Sequence, residues 1–216
     1  MNEIINITLR RETPADYSSV ENLTREAFWN VHVPGCDEHY LAHVLRGSDF
    51  FIAELDFVAE YDGILVGNIM YANSHIASAE GVIYPVLTFG PVSVLPQHQS
   101  KGIGSALILH TLALARELGH KIVVIYGDPE YYQRFGFIAG EQFGIRSRDG
   151  FFAPALQVLE LVPRALNEIN GRFCEAEVYS TDAQAAEEFE ASFPPKPKAV
   201  TASQKRFLEL LSQCHE

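Results

Sequence analysis

The chain of 216 residues contains no apolar run of roughly 18 residues, the length that a membrane-spanning helix requires. Its first residues also lack a basic segment followed by a long apolar one, so they do not resemble a signal peptide. An excess of positive charge is missing as well, because 16 Lys and Arg stand against 28 Asp and Glu, which gives a net charge of −12. A nucleic-acid-binding surface needs a basic face, so this charge argues against nucleic acid and is compatible with a cationic ligand such as an amine.

Cysteine is scarce, and its spacing suggests no pairing. Cys36, Cys174 and Cys214 are odd in number and far apart, which indicates free thiols in a reducing compartment. Together with the absence of a signal peptide, this predicts a cytoplasmic protein. The length suits a single domain with an additional C-terminal element.

No complete metal-ligand set is evident in the sequence. Cys36, His39 and His43 have a superficially zinc-like spacing, and the two histidines would share a helical face. No fourth ligand follows at a convincing spacing, and the H-E-x-x-H motif is absent. We therefore predict that the protein uses no metal.

Two common phosphate-binding motifs are also missing. The Walker-type spacing G-x-x-x-x-G-K-[ST] does not occur. The dinucleotide fingerprint G-x-G-x-x-G would need a third glycine, but the residues after Gly102 and Gly104 do not provide one at that spacing. Both nucleotide-binding classes are excluded on this ground.

A strand, a loop and a helix are nevertheless predicted in succession over residues 92–108. Apolar alternation ends at Pro96, which cannot donate a hydrogen bond to a sheet, and helical apolar spacing begins at Ser105. Between them, Gly102 and Gly104 allow the backbone to bend sharply and to approach a ligand closely. Free amides at a helix N-terminus attract anions, so this loop predicts a phosphate or pyrophosphate site.

The remaining periodicity predicts an α/β fold around a mixed, mostly antiparallel sheet with helices on both faces. A helix is expected to begin at Thr13–Asp16, with Thr13 as its cap. The predicted strands are 4–10, 57–61, 64–72, 84–94, 121–126, 137–139 and 157–162, and further helices are predicted at 37–46, 105–118, 128–135 and 201–214. We assign residues 1–162 to one domain and residues 163–216 to a C-terminal extension of unknown role, in which residues 192–198 look like an extended linker.

Two segments carry a resemblance to a known family. Gln99-x-x-Gly102-x-Gly104, behind a strand that ends at Val94, resembles the pyrophosphate signature of the GNAT (GCN5-related) N-acetyltransferases. The segment 131–137, Tyr-Tyr-Gln-Arg-Phe-Gly-Phe, resembles the [FLY]-Y-x-[KR]-x-G-F segment that follows the fifth strand of that family. The wording of residues 127–137 is similar to a subgroup of predicted acetyltransferases related to YhbS.

The resemblance implies a binding site for acetyl-CoA. It implies that the backbone of residues 92–94 pairs with the pantetheine arm, that the amides of residues 101–105 hold the pyrophosphate, and that Gln99 closes the loop. The implied cofactor-binding residues are Val92, Ser93, Val94, Gln99, Ser100, Lys101, Gly102, Ile103, Gly104 and Ser105.

Acyl transfer from a thioester to an amine requires a neutral amine, a stabilised oxyanion and a proton for the departing thiolate. The resemblance gives Tyr132 the place of the general acid, and the alternative is that its ring only packs against the cofactor. Tyr131 is expected to be structural. Before this segment the sequence departs from the family, because Ile125 and Asp128 stand where many members have Asn and Ala; we interpret Asp128 as a helix cap, with a ligand contact as the alternative.

The general base is not identified by the sequence. Many members of the family place a carboxylate on the fourth strand, but residues 85–94 contain none. Ser93 could order a water molecule, and Asp37 or Glu38 could act from the acceptor side, although acids at a helix start are also explained by the helix dipole. A base acting through water is a further alternative.

We therefore predict an N-acetyltransferase that transfers acetyl from acetyl-CoA to a primary amine of a small molecule, by direct attack in a ternary complex. The alternatives are acetylation of protein lysines or N-termini, and a non-catalytic acyl-CoA sensor. Neither a nucleic-acid partner nor a membrane partner is expected, and the protein is predicted to be a monomer or a homodimer.

Overall fold

Nine strands and six α-helices occur within residues 6–216, the part of the chain that this computed structural model describes. The strands are β1 (Thr8–Arg11), β2 (Phe57–Tyr61), β3 (Ile64–Ala77), β4 (Ile83–Val94), β5 (Ile122–Tyr126), β6 (Ile138–Ala139), β7 (Ile145–Arg146), β8 (Leu156–Glu160) and β9 (Gly171–Cys174). The helices are α1 (Tyr17–Phe28), α2 (Glu38–Leu45), α3 (Ile103–Glu117), α4 (Pro129–Tyr132), α5 (Ala183–Glu190) and α6 (Ala202–Ser212). No helix among these residues is long and apolar enough to cross a bilayer.

The chain divides into two compact units, each built from separate segments. Unit 1 contains the described residues up to Tyr71 together with Gly90–Thr111 and Glu177–Gln204. Unit 2 contains Ala72–Phe89, Leu112–Ala176 and Lys205–Glu216. Strands β3 and β4 and helices α3 and α6 therefore contribute residues to both units.

The sheet of unit 1 has the strand order β1-β2-β3-β4. Strands β1 and β2 pair antiparallel, with Thr8 opposite Glu60, and β2 and β3 form the predicted hairpin. Its turn residues Asp62 and Gly63 both have positive φ, 50° and 75°, as the favoured two-residue hairpin turn requires. The Asp-Gly pair in the sequence is the reason this hairpin could be predicted.

The sheet of unit 2 has the order β3-β4-β5-β8-β6. Strand β5 is parallel to β4, with Leu87 opposite Val123, and β8 is antiparallel to β5. The core of this unit is formed by buried side chains of successive strands: Ile76, Val86, Ile122, Val124, Ile145, Leu156, Val158, Leu166 and Phe173. The sheet is therefore mixed and mostly antiparallel, which confirms the predicted fold class.

The start of α1 differs from the prediction. The helix begins at Tyr17, and Thr13 does not cap it, because the Asp16 carboxylate accepts hydrogen bonds from both the backbone N–H and the hydroxyl of Thr13. The same carboxylate pairs with Arg10 at 2.7 Å, and this pairing holds the Asp16 pKa well below its usual range. Helix α3 also starts earlier than predicted, at Ile103 instead of Ser105. Of the first predicted strand, residues 4 and 5 lie outside the described residues.

The C-terminal part contains elements that periodicity did not predict, namely β7, β9 and α5. Strand β9 pairs with β3 and with the two-residue β7. Its first residue, Gly171, has φ of 142°, and a Cβ there would collide with the backbone of Ala77. The division of the chain at residue 162 stays a prediction.

Candidate active site

The end of β4 and the loop that follows it form the centre of the site in unit 1. After Leu95, whose N–H donates to the carbonyl of Val66 at 3.0 Å, Pro96–His98 makes one 3₁₀ turn. The side-chain amide of Gln99 then donates to the Val94 carbonyl at 3.0 Å. This hydrogen bond joins Gln99 to the last residue of β4, and the role of Gln99 in a cofactor site stays a prediction.

An open cradle follows Gln99. Ser100 and Gly102 have positive φ, 59° and 85°, and a Cβ on Gly102 would meet no atom within 4 Å. Because α3 begins at Ile103, the first amides of the helix have no partner within it and are available to an anion. The Ile103 side chain itself is buried in the core, so this residue offers only its backbone.

Ser93 belongs to a buried polar chain in unit 1. Its hydroxyl donates to Thr24 Oγ1 at 3.1 Å, and the Thr24 hydroxyl donates to Asn68 Oδ1 at 3.3 Å. All three side chains are at most 1 % exposed. The Ser93 side chain therefore links α1 to the sheet, while Val92 and Val94 on either side of it are half-buried.

A cavity of about 410 Å³ opens beside this end of β4. Its lining comes from the end of α1 and the residues after it, from β4 and from the loop: Glu26, Ala27, Phe28, Trp29, Val31, Val92, Val94, Pro96 and Gln99. The walls are mostly apolar. The one lining carboxylate, Glu26, is paired with Lys196 at 2.8 Å. The cavity can therefore hold a largely apolar chain beside the end of β4.

Residues 192–201, which we call the C-terminal strap, pack against one wall of this cavity. The Trp29 indole donates to the Pro197 carbonyl at 2.9 Å, and Asn30 Oδ1 accepts from the Ala199 amide at 3.0 Å. The Thr201 hydroxyl donates to the Asn30 carbonyl at 2.6 Å. The strap, which contains the segment 192–198 predicted to be a linker, is thus held by hydrogen bonds to Trp29 and Asn30.

The strap is anchored by a buried ion pair between α1 and α5. Arg25, whose side chain is 3 % exposed, binds both carboxylate oxygens of Glu190 at 2.8 and 2.6 Å and also donates to the Pro194 carbonyl. The hydrogen bonds to Glu190 raise the Arg25 pKa above its ordinary value. His39 Nε2 lies 3.0 Å from the same carboxylate, and burial lowers the pKa of this imidazole.

The two acids nominated on the acceptor side have different surroundings. Asp37 accepts a hydrogen bond from the Thr181 hydroxyl at 3.1 Å. Glu38 lies 2.9 Å from His32 Nδ1, and its second oxygen accepts from the Asp37 amide at 3.2 Å. The Cys36 thiol lies 3.6 Å from His39 Nδ1, and burial raises its pKa far above the usual range. Within residues 6–216 no group of three or more acids, histidines and cysteines could hold a metal ion.

Tyr132 lies in unit 2, at the end of α4. Asp128 caps this helix by accepting from the Glu130 amide at 2.9 Å, which confirms the cap interpretation. The Tyr132 ring packs among aromatic side chains, at centroid distances of 5.9 Å from Phe89 and 5.7 Å from Phe137. Burial raises the pKa of the phenol well above its ordinary value, so the hydroxyl keeps its proton.

Gly127 leaves the space that the Tyr132 ring occupies. The sequence analysis did not assign this role to Gly127. A Cβ on Gly127 would collide with the Cε2 and Cδ2 atoms of Tyr132. The ring therefore lies directly over the backbone of residue 127, and only glycine fits beneath it. The available signal was a glycine immediately before the Asp-Pro pair that starts α4.

We compared the chain with protein-family models, with curated proteins and with solved structures. Residues 8–139 match the model of an acetyltransferase (GNAT) domain. The chain is 27 % identical, over 76 % of its length and 92 % of the relative, to the uncharacterized N-acetyltransferase YhbS of Escherichia coli K12. A structure of E. coli YhbS in complex with CoA superposes with a TM-score of 0.72 at 26 % identity, covering 84 % of this chain and 96 % of the other. A Brucella melitensis GNAT acetyltransferase in complex with acetyl-CoA gives a TM-score of 0.65 at 29 % identity, over 81 % and 99 % of the two chains.

Proposed function

Because this chain belongs to the GNAT family of acetyltransferases, we propose that it transfers an acetyl group from acetyl-CoA to a primary amine of a small molecule. The observation that carries the proposal is the cradle at Gly102, which opens at the start of α3 beside the β4 cavity. When bound, acetyl-CoA supplies a thioester carbonyl that an amine can attack.

The residues of unit 1 fit the two chemically different parts of this co-substrate. The amides of residues 101–105 are assigned to the pyrophosphate, since Gly102 leaves the space and the α3 N-terminus favours negative charge. The backbone of Val92 and Val94, in the wall of an apolar cavity, is assigned to the pantetheine arm. Related structures hold CoA and acetyl-CoA, which supports the choice of ligand.

Tyr132 is assigned the role of general acid. Its raised pKa keeps the phenol protonated, which is the form that can donate to a departing thiolate. A phenol is a weaker acid than a thiol, whose pKa is near 8.5, so the Tyr132 hydroxyl acts by donating a hydrogen bond to the sulfur as negative charge develops there. The raised pKa keeps this donor protonated over the working range of pH.

We assign the acetyl acceptor to the class of small-molecule primary amines. Trp29 lines the cavity and its indole is hydrogen-bonded to the strap, so a bound peptide would have to break this contact to widen the cavity at that wall. The cavity walls are largely apolar, which favours an acceptor with an aromatic or aliphatic body. The net charge of −12 is compatible with a cationic amine.

The test compares variants of two glycines that have similar φ. Gly102 and Gly81 have φ of 85° and 81°, and a Cβ on either would meet no atom within 4 Å. Replacing either with Phe therefore adds left-handed strain of about 1–2 kcal/mol, but only Gly102→Phe fills the assigned pyrophosphate site. We expect Gly102→Phe to abolish acetyl-CoA binding in calorimetry and Gly81→Phe to retain it. Equal affinity in both variants would overturn the assignment of the loop.

A further inference from the structure

A second cavity, of about 310 Å³, lies within unit 2, and all of its lining residues belong to that unit. It is formed by the start of β4, the turn between α3 and β5, and the loop that follows β8. Its volume is at the lower end of the range of small-molecule sites. None of the residues assigned above to acetyl-CoA or to acid catalysis lines it.

Part of the lining is apolar and belongs to the core of unit 2. Val86 on β4 and Ile122 on β5 are 4 % and 3 % exposed and are members of that core. Ala165 and Ile169 also line the cavity, and they pack against the same core. The cavity therefore offers an apolar surface to the body of a ligand.

Hydrogen bonds hold the segments that form the lining. The Lys121 carbonyl accepts from the Leu161 amide at 2.8 Å, which ties the start of β5 to the loop after β8. In that loop the Glu160 carboxylate accepts from the Leu166 amide at 2.7 Å. The cavity is thus formed in the absence of a ligand, so binding requires little ordering of its walls.

The polar part of the lining carries hydrogen-bond donors and no acid. Its side chains are those of Asn73, Tyr84, His120 and Lys121, and no Asp or Glu lines the cavity among the described residues. Lys121 therefore carries the formal charge of the lining, in a chain whose net charge is −12. Burial lowers the pKa of His120, so its imidazole is neutral at pH 7 and can donate one hydrogen bond.

The protein itself does not engage these four polar side chains. Within residues 6–216 they form no ion pair or side-chain hydrogen bond, whereas Lys196, for example, is paired with Glu26. An ammonium beside an apolar surface, with neutral donors nearby, fits a carboxylate attached to an apolar body. The carboxylate accepts charge-assisted hydrogen bonds, and the body displaces water from the apolar surface.

We propose that this cavity is a binding site for a small-molecule monocarboxylate with an apolar body. Lys121 pairs with the carboxylate, the neutral side chains donate hydrogen bonds to it, and the body lies against Val86, Ile122 and Ala165. A single ammonium favours one negative charge over a phosphate dianion. The site does not depend on the proposed acetyl transfer, and its test does not use that reaction.

Benzoate and benzamide are the probes, because they share a ring and nearly the same shape but only benzoate is charged. In saturation-transfer NMR titrations of the full chain, the wild-type protein should bind benzoate more tightly than benzamide. Lys121→Met should weaken benzoate binding by about tenfold or more, since hydrogen bonds to a charged group are lost, and should affect benzamide much less. Ala165→Phe fills the cavity and should weaken the binding of both.

Lys205→Met is the matched control. Lys205 is an exposed lysine of unit 2 that does not line the cavity, and its replacement removes the same charge. It should leave the benzoate affinity unchanged. A wild-type protein that does not bind benzoate, or that binds benzamide as tightly, would overturn the proposal. Equal losses in the two lysine variants would show an effect of net charge alone, and unchanged affinity in Lys121→Met would place the benzoate elsewhere; either result would also overturn it.

Discussion

Glu190→Gln tests the anchor of the C-terminal strap by removing one charge. The substitution keeps the size of the side chain but leaves the Arg25 guanidinium, 3 % exposed, without its carboxylate. The amide can satisfy only part of the two hydrogen bonds that Glu190 now accepts at 2.8 and 2.6 Å. His39 also loses the carboxylate that lies 3.0 Å from its Nε2.

The expected cost follows from the burial of the pair. Removing one partner of a buried ion pair costs about 3–5 kcal/mol, since an uncompensated charge stays behind. A domain of this size has an unfolding free energy of about 5–15 kcal/mol, so the substitution removes about a fifth of it or more. With a urea m-value of about 2.5 kcal/mol/M, the unfolding midpoint should fall by about 1–2 M.

The assay is urea unfolding followed by the fluorescence of Trp29, the single tryptophan of the chain, whose indole is bonded to the strap. Glu187→Gln is the control, because Glu187 is an exposed residue of the same helix α5. Its midpoint should move by less than about 0.2 M, as expected for an exposed surface site. The reasoning would be refuted if the urea midpoint decreased equally in both variants, or if it decreased by less than about 0.4 M in Glu190→Gln.

Three further predictions concern Tyr132, Gly127 and Asp56. Tyr132→Phe should lower kcat by about 10²-fold or more while calorimetry finds the affinity for acetyl-CoA within about twofold of wild type; wild-type turnover would remove Tyr132 from the acid role. Gly127→Ala should displace the Tyr132 ring and reproduce much of that loss of turnover, because the new methyl group collides with the ring, and a crystal structure with an unmoved ring would contradict this. Asp56 is buried beside Glu12, and burial raises its pKa, so the folded protein binds a proton there that the unfolded chain releases above its ordinary pKa near 3.9. Stability from this group is therefore lost progressively between about pH 4 and the raised pKa of about 9. Asp56→Asn should flatten this fall in unfolding free energy, and an unchanged slope would contradict the raised pKa of Asp56.

The part of the fold with regular local patterns could be predicted from the sequence. The Asp62-Gly63 turn, the β-branched run of β5 and the Asp128-Pro129 helix start each carry a local signal, and each element is present. Thr13 shows the limit of such rules. Thr13 is a suitable capping residue, but Asp16 forms an ion pair with the Arg10 guanidinium, and helix α1 begins only at Tyr17.

Elements that depend on distant partners could not be predicted. Strand β7 has two residues and β9 has four, too few to show a period, and both exist because β9 pairs with β3 across a long sequence separation. The only signal of the strap in the sequence was its proline-rich composition. Its contacts with Trp29 and Asn30 involve residues about 170 positions apart, which no local pattern encodes.

For the candidate site, Gln99 was named from the family resemblance and Gly102 for its lack of a Cβ, and their roles in cofactor binding stay predictions. The hydrogen bond from Gln99 to Val94 and the open space at Gly102 are compatible with those roles. The Ser93 side chain was less predictable, because its burial against Thr24 arises from the packing of α1. The contact of Glu38, which the sequence nominated as a candidate base, with His32 could not be predicted for the same reason, since a loop residue and a helix residue meet only in the folded chain.

The most direct test of the central claim is thermal unfolding of the protein with acetyl-CoA, with CoA and with NADH. A ligand at about 100 times its dissociation constant adds roughly 2.7 kcal/mol to the unfolding free energy. For a chain of this size that is a rise in Tm of about 5–10 °C. The account predicts this rise with acetyl-CoA and CoA and none with NADH. No rise with acetyl-CoA, or an equal rise with NADH, would contradict it.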